Sequence, residues 1–579
     1  MKILGLFGPG PNPSAALLVD GKLVAFVEEE RLNRIKTAPN SIPVLAAKAC
    51  LKKGGIALDE LDGIAYGWDC PRYVTEAKAF FEKQRAGATG PASAYNLLQE
   101  ELLLNLYHPD RVANTLQIGL GSMSKSWRLP PIKYYPHHLA HAASAFYCSK
   151  FDEANVITLD GSGEEVTTLL CRAGPKGIEV LKRFELPHTL GGFYATFTEY
   201  LDFKAYQDEG KLMGLASYGK YNEELQRKLD EVIPFDRKTG DFTINPAMRY
   251  EGRHTYGSRF TDRFVELFGP KRRADQSALD GPFPDIAFAV QWRLEQIVIA
   301  LARQLHRTTG LDKLCLAGGV AMNCVMNGKL AEQAFVEDIF VQPAASDNGA
   351  SLGAALLMAN EKTPTSFRLR HLYYGPEFSD AELEKALVEA KVRYERVPDV
   401  CRVVARELAE GRIVGWFQGA MEVGARSLGN RSILASPLFA GMKEKLNIEV
   451  KHRENWRPFC PSMKEESYRK YIRAACDSPF MIMAFPANDE IKDKIPSCVH
   501  VDGTARPQAV SKQDNARFWN LLDEFEKVTG HGILINTSFN IQGEPVVCSP
   551  RDALRTFGGT GIDLLVLGDF VVRKETLGR

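Results

Sequence analysis

The stretch Pro136-His137-His138-Leu139-Ala140-His141, followed by the strand-like run Val156-Ile157-Thr158-Leu159 and then Asp160-Gly161-Ser162-Gly163, decides how this chain is read. If the first segment is helical, His137 and His141 stand one turn apart on one face, where two neutral imidazoles can bind one metal ion and Asp160 can supply an oxygen ligand. His138 and His141 would share a face as well, so spacing alone leaves the register open. A second acidic turn lies far downstream, Ala345-Ser346-Asp347-Asn348-Gly349-Ala350. Its small residues let backbone approach closely, and Asp347 can complete the ligand set. A metal beside a Gly-rich turn points to chemistry on a phosphate or nucleotide.

Outward from this stretch, strand and helix patterns alternate. Ala15 to Val19 and Leu23 to Val27 read as strands joined by Asp20-Gly21, a hairpin signal. Ile64 to Tyr66, Val156 to Leu159, Lys313 to Leu316 and Ile339 to Val341 read as short buried strands, and Ile42 to Leu51 and Ile286 to Leu305 as helices. The alternation predicts a layered α/β architecture. The turns at Asp160 and at Gly318-Gly319-Val320-Ala321-Met322-Asn323 then fall at strand ends, where open sheets bind ligands. Gln207 to Ala216 reads as a functional loop because polar residues lead into a Gly-Lys pair. A domain boundary is expected near 361–374, where Lys-Thr-Pro-Thr-Ser interrupts a helix, giving domains 1–365 and 366–579.

At 579 residues the chain is too long for one core. Its 72 Lys plus Arg equal its 72 Asp plus Glu, so no bulk attraction to nucleic acid or membrane is expected and any nucleotide binding must be local. Hydrophobic content of 45% suits a globular protein with a large core. No run approaches the roughly 18 apolar residues a membrane helix needs. Met1 to Leu6 leads into a strand pattern without a cleavage signature, so a cytoplasmic location is expected. The 11 Cys are scattered without Cys-x-x-Cys pairs, as expected of reduced thiols.

In the second domain Arg426, Arg431, Lys451, Arg453 and Arg457 fall close together, interleaved with Gly424 and Gly429, as a polyphosphate site requires. Trp456, Pro458 and Phe459 surround Arg457, a setting that holds a guanidinium in place. Asn536-Thr537-Ser538-Phe539-Asn540 follows an apolar strand and sets Asn536 and Ser538 where hydroxyl and amide donors grip phosphate. Glu28-Glu29-Glu30-Arg31, with Arg34 and Lys36, forms a charged patch after an N-terminal strand.

Taken in order, His-His-Leu-Ala-His, Asp160-Gly-Ser-Gly, Gly210-Lys-Leu-Met-Gly-Leu-Ala, Gly318-Gly-Val-Ala-Met-Asn and Ser346-Asp-Asn-Gly resemble the first domain of the NodU/CmcH/TobZ-type O-carbamoyltransferases. Val423-Gly-Ala-Arg-Ser-Leu-Gly-Asn-Arg-Ser-Ile, Trp456-Arg-Pro-Phe, Val501-Asp-Gly-Thr-Ala-Arg and Asn536-Thr-Ser-Phe-Asn resemble its second. The resemblance implies a large first domain of the actin and sugar-kinase type, like TsaD, and a smaller second α/β domain like YrdC. It implies that the second domain turns ATP, with its Mg2+, and carbamoyl phosphate into carbamoyl adenylate. The first domain would then pass the carbamoyl group to a hydroxyl of a small-molecule, natural-product acceptor.

By motif, the resemblance assigns a metal, iron, to His137, His141, Asp160 and Asp347, and carbamoyl phosphate and nucleotide to Arg426, Lys451, Arg457, Arg506 and Ser538. Gly318, Gly319, Asn323 and Asn536 are further candidates for substrate or nucleotide binding, and Asp160, Lys451 and Arg457 for catalysis. Many members of that family begin with His-Asp before Ser-Ala-Ala, whereas this chain has Pro11-Asn12-Pro13. Asn12 is therefore a candidate acceptor contact on a loop stiffened by two Pro, and Lys36 a candidate base unless metal assistance suffices. A homodimer is a further expectation.

Other functions fit less well. A threonylcarbamoyl-type tRNA-modifying enzyme would show a basic footprint, which the zero net charge disfavours. A non-enzymatic nucleotide-binding scaffold would have lost the metal or phosphate residues, and both sets are present. A metallopeptidase needs a His-Glu-x-x-His base, and no Glu stands between His137 and His141.

Overall fold

The apolar run Lys2–Phe7 forms β1, the centre of a sheet with β2 (Ser14–Val19), β3 (Lys22–Glu28), β4 (Gly63–Tyr66) and β5 (Ile132–Tyr134) in the order β3-β2-β1-β4-β5. β1 runs antiparallel to β2 and parallel to β4, and β4 runs parallel to β5. A second sheet holds β6 (Ala154–Gly163), β7 (Val166–Gly174), β8 (Gly177–Glu185), β9 (Lys313–Ala317) and β10 (Asp338–Val341). Its order, β10-β9-β6-β7-β8, repeats that of the first with β6 in place of β1. The strand directions repeat too, since β6 is antiparallel to β7 and parallel to β9. This duplication is invisible in the sequence, where the two halves share a pattern of strands but no repeated motif.

These sheets belong to a computed structural model that describes residues 1–76, 102–249 and 259–576. The chain divides into two units, Met1–Leu23 with Pro39–Arg368, and Val24–Ala38 with Leu369–Arg579. The expected division was 1–365 and 366–579; the structure differs in grouping residues 24–38 with the second unit. Among the described residues no helix is long and apolar enough to cross a membrane.

Two helices of the first unit carry the site. His137–Ser149 is buried on nearly all sides and is rich in Ala, so neighbours can pack against it from every direction. Asn348–Asn360 crosses it at Gly353, where an added Cβ would lie 1.8 Å from the Ala140 carbonyl oxygen. No side chain fits at that crossing. The contact brings the start of each helix, one bearing His137 and His141 and the other preceded by Asp347, to the same end of β6.

Two local expectations are corrected. Asp160-Gly161-Ser162-Gly163 does not form a turn beyond the strand, because β6 continues through Gly163 and turns only at Glu164-Glu165. Gln207 to Ala216 is not a loop throughout, because Glu209–Ala216 is helical and buries Lys211, Leu212, Leu215 and Ala216.

The second unit is built on an eight-stranded mixed sheet. Its strands are β11 (Glu395–Arg396), β12 (Val414–Phe417), β13 (Arg431–Ala435), β14 (Cys460–Lys464), β17 (Gln508–Val510), β18 (Ile533–Ser538), β19 (Leu564–Leu567) and β20 (Phe570–Arg573). They lie in the order β11-β20-β19-β12-β13-β18-β14-β17, and β15 (Phe485–Pro486) pairs separately with β16 (Thr504–Ala505). Side chains alternate between two cores: Val414, Trp416, Leu564 and Val566 face one, Phe417, Leu565 and Leu567 the other. Burial on both faces explains why these strands read as unbroken apolar runs.

Replacing Gly353 by Ala tests the helix crossing. Ala normally stabilises a helix interior relative to Gly, but here the methyl group would force two backbones apart. Gly353→Ala should therefore lower first-unit stability by about 1–3 kcal/mol, read as an earlier urea midpoint. A later midpoint would show that the helices do not need this approach.

Candidate metal centre and anion site

In the first unit, the helix places His137 and His141 on one face and turns His138 away. His138 Nδ1 meets Thr158 Oγ1 at 2.7 Å, and burial holds His138 well below its usual pKa, so it stays neutral. His137 and His141 face each other Nε2 to Nε2 at 2.9 Å. Asp160 Oδ2 lies 3.0 Å from His141 Nε2, and Asp347 Oδ1 lies 3.6 Å from His137 Nε2. Among the described residues these four offer one ligand atom each, all within 4.8 Å of one another. The structure thus resolves the register that spacing left open, in favour of His137 with His141.

The donor set fits a divalent cation. The Nδ1–H of His137 donates to the Gly67 carbonyl at 3.2 Å, which leaves Nε2 as the lone-pair side pointing at the cluster. Two imidazole nitrogens and two carboxylates suit a borderline first-row metal. The charges also ask for a cation. Burial opposes a charged His137, yet hydrogen bonds to Asp160 and Asp347 carry its pKa up to about 10. Burial and repulsion from Asp160 raise Asp347, while hydrogen bonds from both His hold Asp160 well below the usual range against its burial. Crowded carboxylates thus take up positive charge as a proton on His137, and a metal can replace that proton.

The other first-unit candidates gather around this centre to different degrees. Asn12 Nδ2 donates to Ser346 Oγ at 3.2 Å, next to Asp347, and Asn12 adopts a left-handed φ of 55°. Gly318 N–H donates to the Ala345 carbonyl at 2.8 Å, tying the turn after β9, with Gly319, to the acidic turn. Asn323 caps the helix Cys324–Ala331 and exchanges hydrogen bonds with Gln291 at 2.8 and 3.1 Å, so both ends of its amide are engaged within the fold.

In the second unit the focus is Lys451. Its buried Nζ donates to the Ser538 carbonyl at 2.8 Å and to the Asn540 carbonyl and Oδ1 at 2.8 and 2.9 Å, with Ser538 Oγ at 3.4 Å. Burial, then the charges of Arg453, Arg457 and Lys36, hold its pKa well below the usual lysine value. Burial, Arg457 and Arg506 likewise depress Arg453, to about 9, against Cys460 and Glu454. Cations that repel one another at close range make a site that an anion relieves. Arg457 and Arg506 are partly exposed; Arg506 Nε donates to Cys460 Sγ at 3.1 Å. Arg426 is half-buried in the segment between β12 and β13.

Three sequence readings change here. Arg431 is fully buried and donates to the carbonyls of Gln418, Gly419, Asn430 and Pro376 while lying over Phe417 at 3.5 Å, so it holds the fold instead of a phosphate. Asn536 lies inside β18, not beyond it, and its Nδ2 donates to Ser462 Oγ and Gln508 Oε1. Lys36 groups with the second unit, where its Nζ lies 3.9 Å from the buried Glu30, so it and Asn12 belong to different units.

Sequence reading missed the residues that organise the second unit's loop. Glu422 Oε1 accepts the N–H groups of Leu428, Asn430 and Arg431. Arg31, paired with Glu28 and Glu30, donates to the Gly424 carbonyl at 2.8 Å, and Glu28 accepts Gly424 N–H at 3.1 Å. An Arg among three Glu was the available signal, but its partner lies nearly four hundred positions away.

Comparison with known proteins agrees along the chain. The family described as carbamoyltransferase N-terminus matches residues 2–356, and carbamoyltransferase C-terminus matches 405–574. An uncharacterized protein of Synechocystis sp. is 37% identical over 99% of this chain and 96% of its own length. Nodulation protein NolNO of Sinorhizobium fredii is 36% identical over 97% of this chain and 79% of its own. Nodulation protein U of Rhizobium tropici is 28% identical over 91% and 89%. Among solved structures, the ROK hexokinase of Thermus thermophilus is a distant likeness, 14% identical with a TM-score of 0.30, covering 63% of this chain and all of that one. With both family regions matched and these relatives alike over 79% and 89% of their own length, the chain belongs to the carbamoyltransferase family and is an O-carbamoyltransferase of the NodU type.

Proposed function

We propose that this enzyme works in two stages, one in each unit. The first unit acts as an actin and sugar-kinase-type, TsaD-like transfer domain, a reading supported by its duplicated sheet order. The second acts as a YrdC-like domain in which water releases phosphate from carbamoyl phosphate and the carbamate left behind attacks the α-phosphorus of ATP, giving carbamoyl adenylate and pyrophosphate. The acceptor is a hydroxyl of a small-molecule natural product in the cytoplasm, with neither nucleic acid nor membrane as partner, and the enzyme works as a homodimer. The observation that carries the reading is the convergence of His137, His141, Asp160 and Asp347 within 4.8 Å.

In the second unit, Lys451, Arg457, Arg506, Arg426 and Ser538 bind the phosphate groups. Anion oxygens take over the hydrogen bonds that Lys451 now makes with Ser538 and Asn540. The positive charge that builds up there stabilises the developing negative charge as pyrophosphate leaves. Lys36 joins this cluster, since its charge acts on Lys451, and takes a phosphate-binding role in place of the expected base. In the first unit, a divalent metal, iron by family resemblance, would supply Lewis acidity when bound. His137, His141, Asp160 and Asp347 would hold it, and Asn12 contacts the acceptor from its place beside Ser346. Burial of the cluster excludes water from a mixed anhydride that hydrolyses readily.

The direct test is mass spectrometry of candidate hydroxyl acceptors incubated with the enzyme, ATP and carbamoyl phosphate, where a carbamoyl mass gain is expected. Two substitutions separate the stages. His141→Ala should abolish metal retention, measured by elemental analysis, and with it carbamoyl transfer, while leaving adenylate formation largely intact; equal loss of both half-reactions would argue for one shared site. Lys451→Ala should slow pyrophosphate release from ATP by roughly 10²-fold or more, while supplied carbamoyl adenylate is still consumed. Normal pyrophosphate release would remove Lys451 from the first stage.

A further inference from the structure

Glu164 occupies the tight turn between β6 and β7 with a left-handed φ of 48°. A side chain bearing Cβ is strained there by roughly 1–2 kcal/mol, and Gly, Asn or Asp is the usual choice in such a hairpin turn. A Glu at this position calls for a reason, and its carboxylate supplies one. The side chain is turned inward, 3% exposed, and Oε1 accepts the Asp69 N–H at 2.8 Å. Both oxygens also lie 3.2 Å from the backbone nitrogen of His137.

That N–H is the first of the helix His137–Ser149, whose cap residue, Pro136, offers no side-chain acceptor. Glu164 does from the turn between β6 and β7 what an N-cap side chain does locally, accepting the first N–H of the helix. Its second bond, to Asp69, fixes the segment that touches the His137 ring: the Gly67 carbonyl accepts His137 Nδ1–H, and the Trp68 ring packs 5.2 Å away. On the other side, Gly163 leaves no room for a Cβ, which would meet His137 Cδ2 at 2.2 Å. Arg72 pins the turn through both oxygens of Glu165, at 2.9 and 3.0 Å.

We infer that Glu164 is a positioning residue for the metal centre: one buried carboxylate fixes both the helix turn that carries His137 and the backbone carbonyl that orients its ring. The inference rests on the metal reading above. Glu164→Gln keeps the volume but puts a donor NH2 where one acceptor oxygen stands, so the Asp69 and His137 N–H groups cannot both keep their acceptors and His137 Nε2 should no longer be held on the cluster.

The experiment titrates the full-length protein with Co2+, following its visible absorption, beside far-UV circular dichroism and thermal melting. Glu164→Gln should weaken Co2+ binding by about 10–100-fold and shift the visible band with the fold retained. Glu165→Gln breaks the Arg72 pair on the same turn, touches no ligand, and should leave Co2+ binding within about twofold. If Glu164→Gln does not fold, Glu164→Asp, which withdraws the carboxylate by one methylene, is read in the same way. Unchanged Co2+ affinity and spectrum in the Glu164 variant, or equal weakening by both Glu164 and Glu165 changes, would overturn the inference. Absence of Co2+ binding by the unaltered protein would instead overturn the metal reading itself.

Discussion

Ala140 and Gly353 let two helices touch backbone to backbone, and the candidate metal centre depends on that approach. The ligands come from three places far apart in the chain: the helix His137–Ser149, strand β6, and the turn before Asn348–Asn360. None of these elements carries a complete set. Only when the two helices close on each other do the imidazoles of one meet the carboxylate that precedes the other, while β6 brings Asp160 alongside. The small residues of these helices are thus part of the chemistry, though they touch no ligand.

Each unit concentrates charge of one kind inside a chain whose total is zero. In the first, two buried carboxylates raise the basicity of His137. In the second, burial and neighbouring cations hold Lys451 and Arg453 below their usual pKa. Both arrangements are uncomfortable until a partner of opposite sign arrives. A cation would relieve the first and an anion the second, so the same physical device calls for ligands of opposite charge.

Much of this was legible in sequence. The strands β1, β4, β6, β9 and β10 stood out because fully buried strands are continuous apolar runs. The four candidate ligands could be named because imidazoles at helical spacing and Asp beside small residues are local patterns. What escaped was non-local. Nothing near Arg431 says that four carbonyls await it, and nothing near Asn536 announces Ser462 and Gln508. Helical periodicity could not separate His137 from His138; Thr158, a strand away, does. The pinned turn at Glu164 hid behind the more conspicuous glycines before it.

Val24–Ala38 lies close to the start of the chain yet packs as part of the second unit. Arg31 completes the loop at Gly424, and Arg34 donates to the carbonyls of Pro545 and Val546. The second unit is therefore discontinuous, and a break in the chain near residue 368 would not release it whole. It would leave the Gly424 loop without its clamp and the basic cluster without Lys36. This threading makes the second unit inseparable from the N-terminus at the level of the gene: a shuffled or truncated C-terminal half inherits a sheet and most of its cations, but not the short segment that completes the unit.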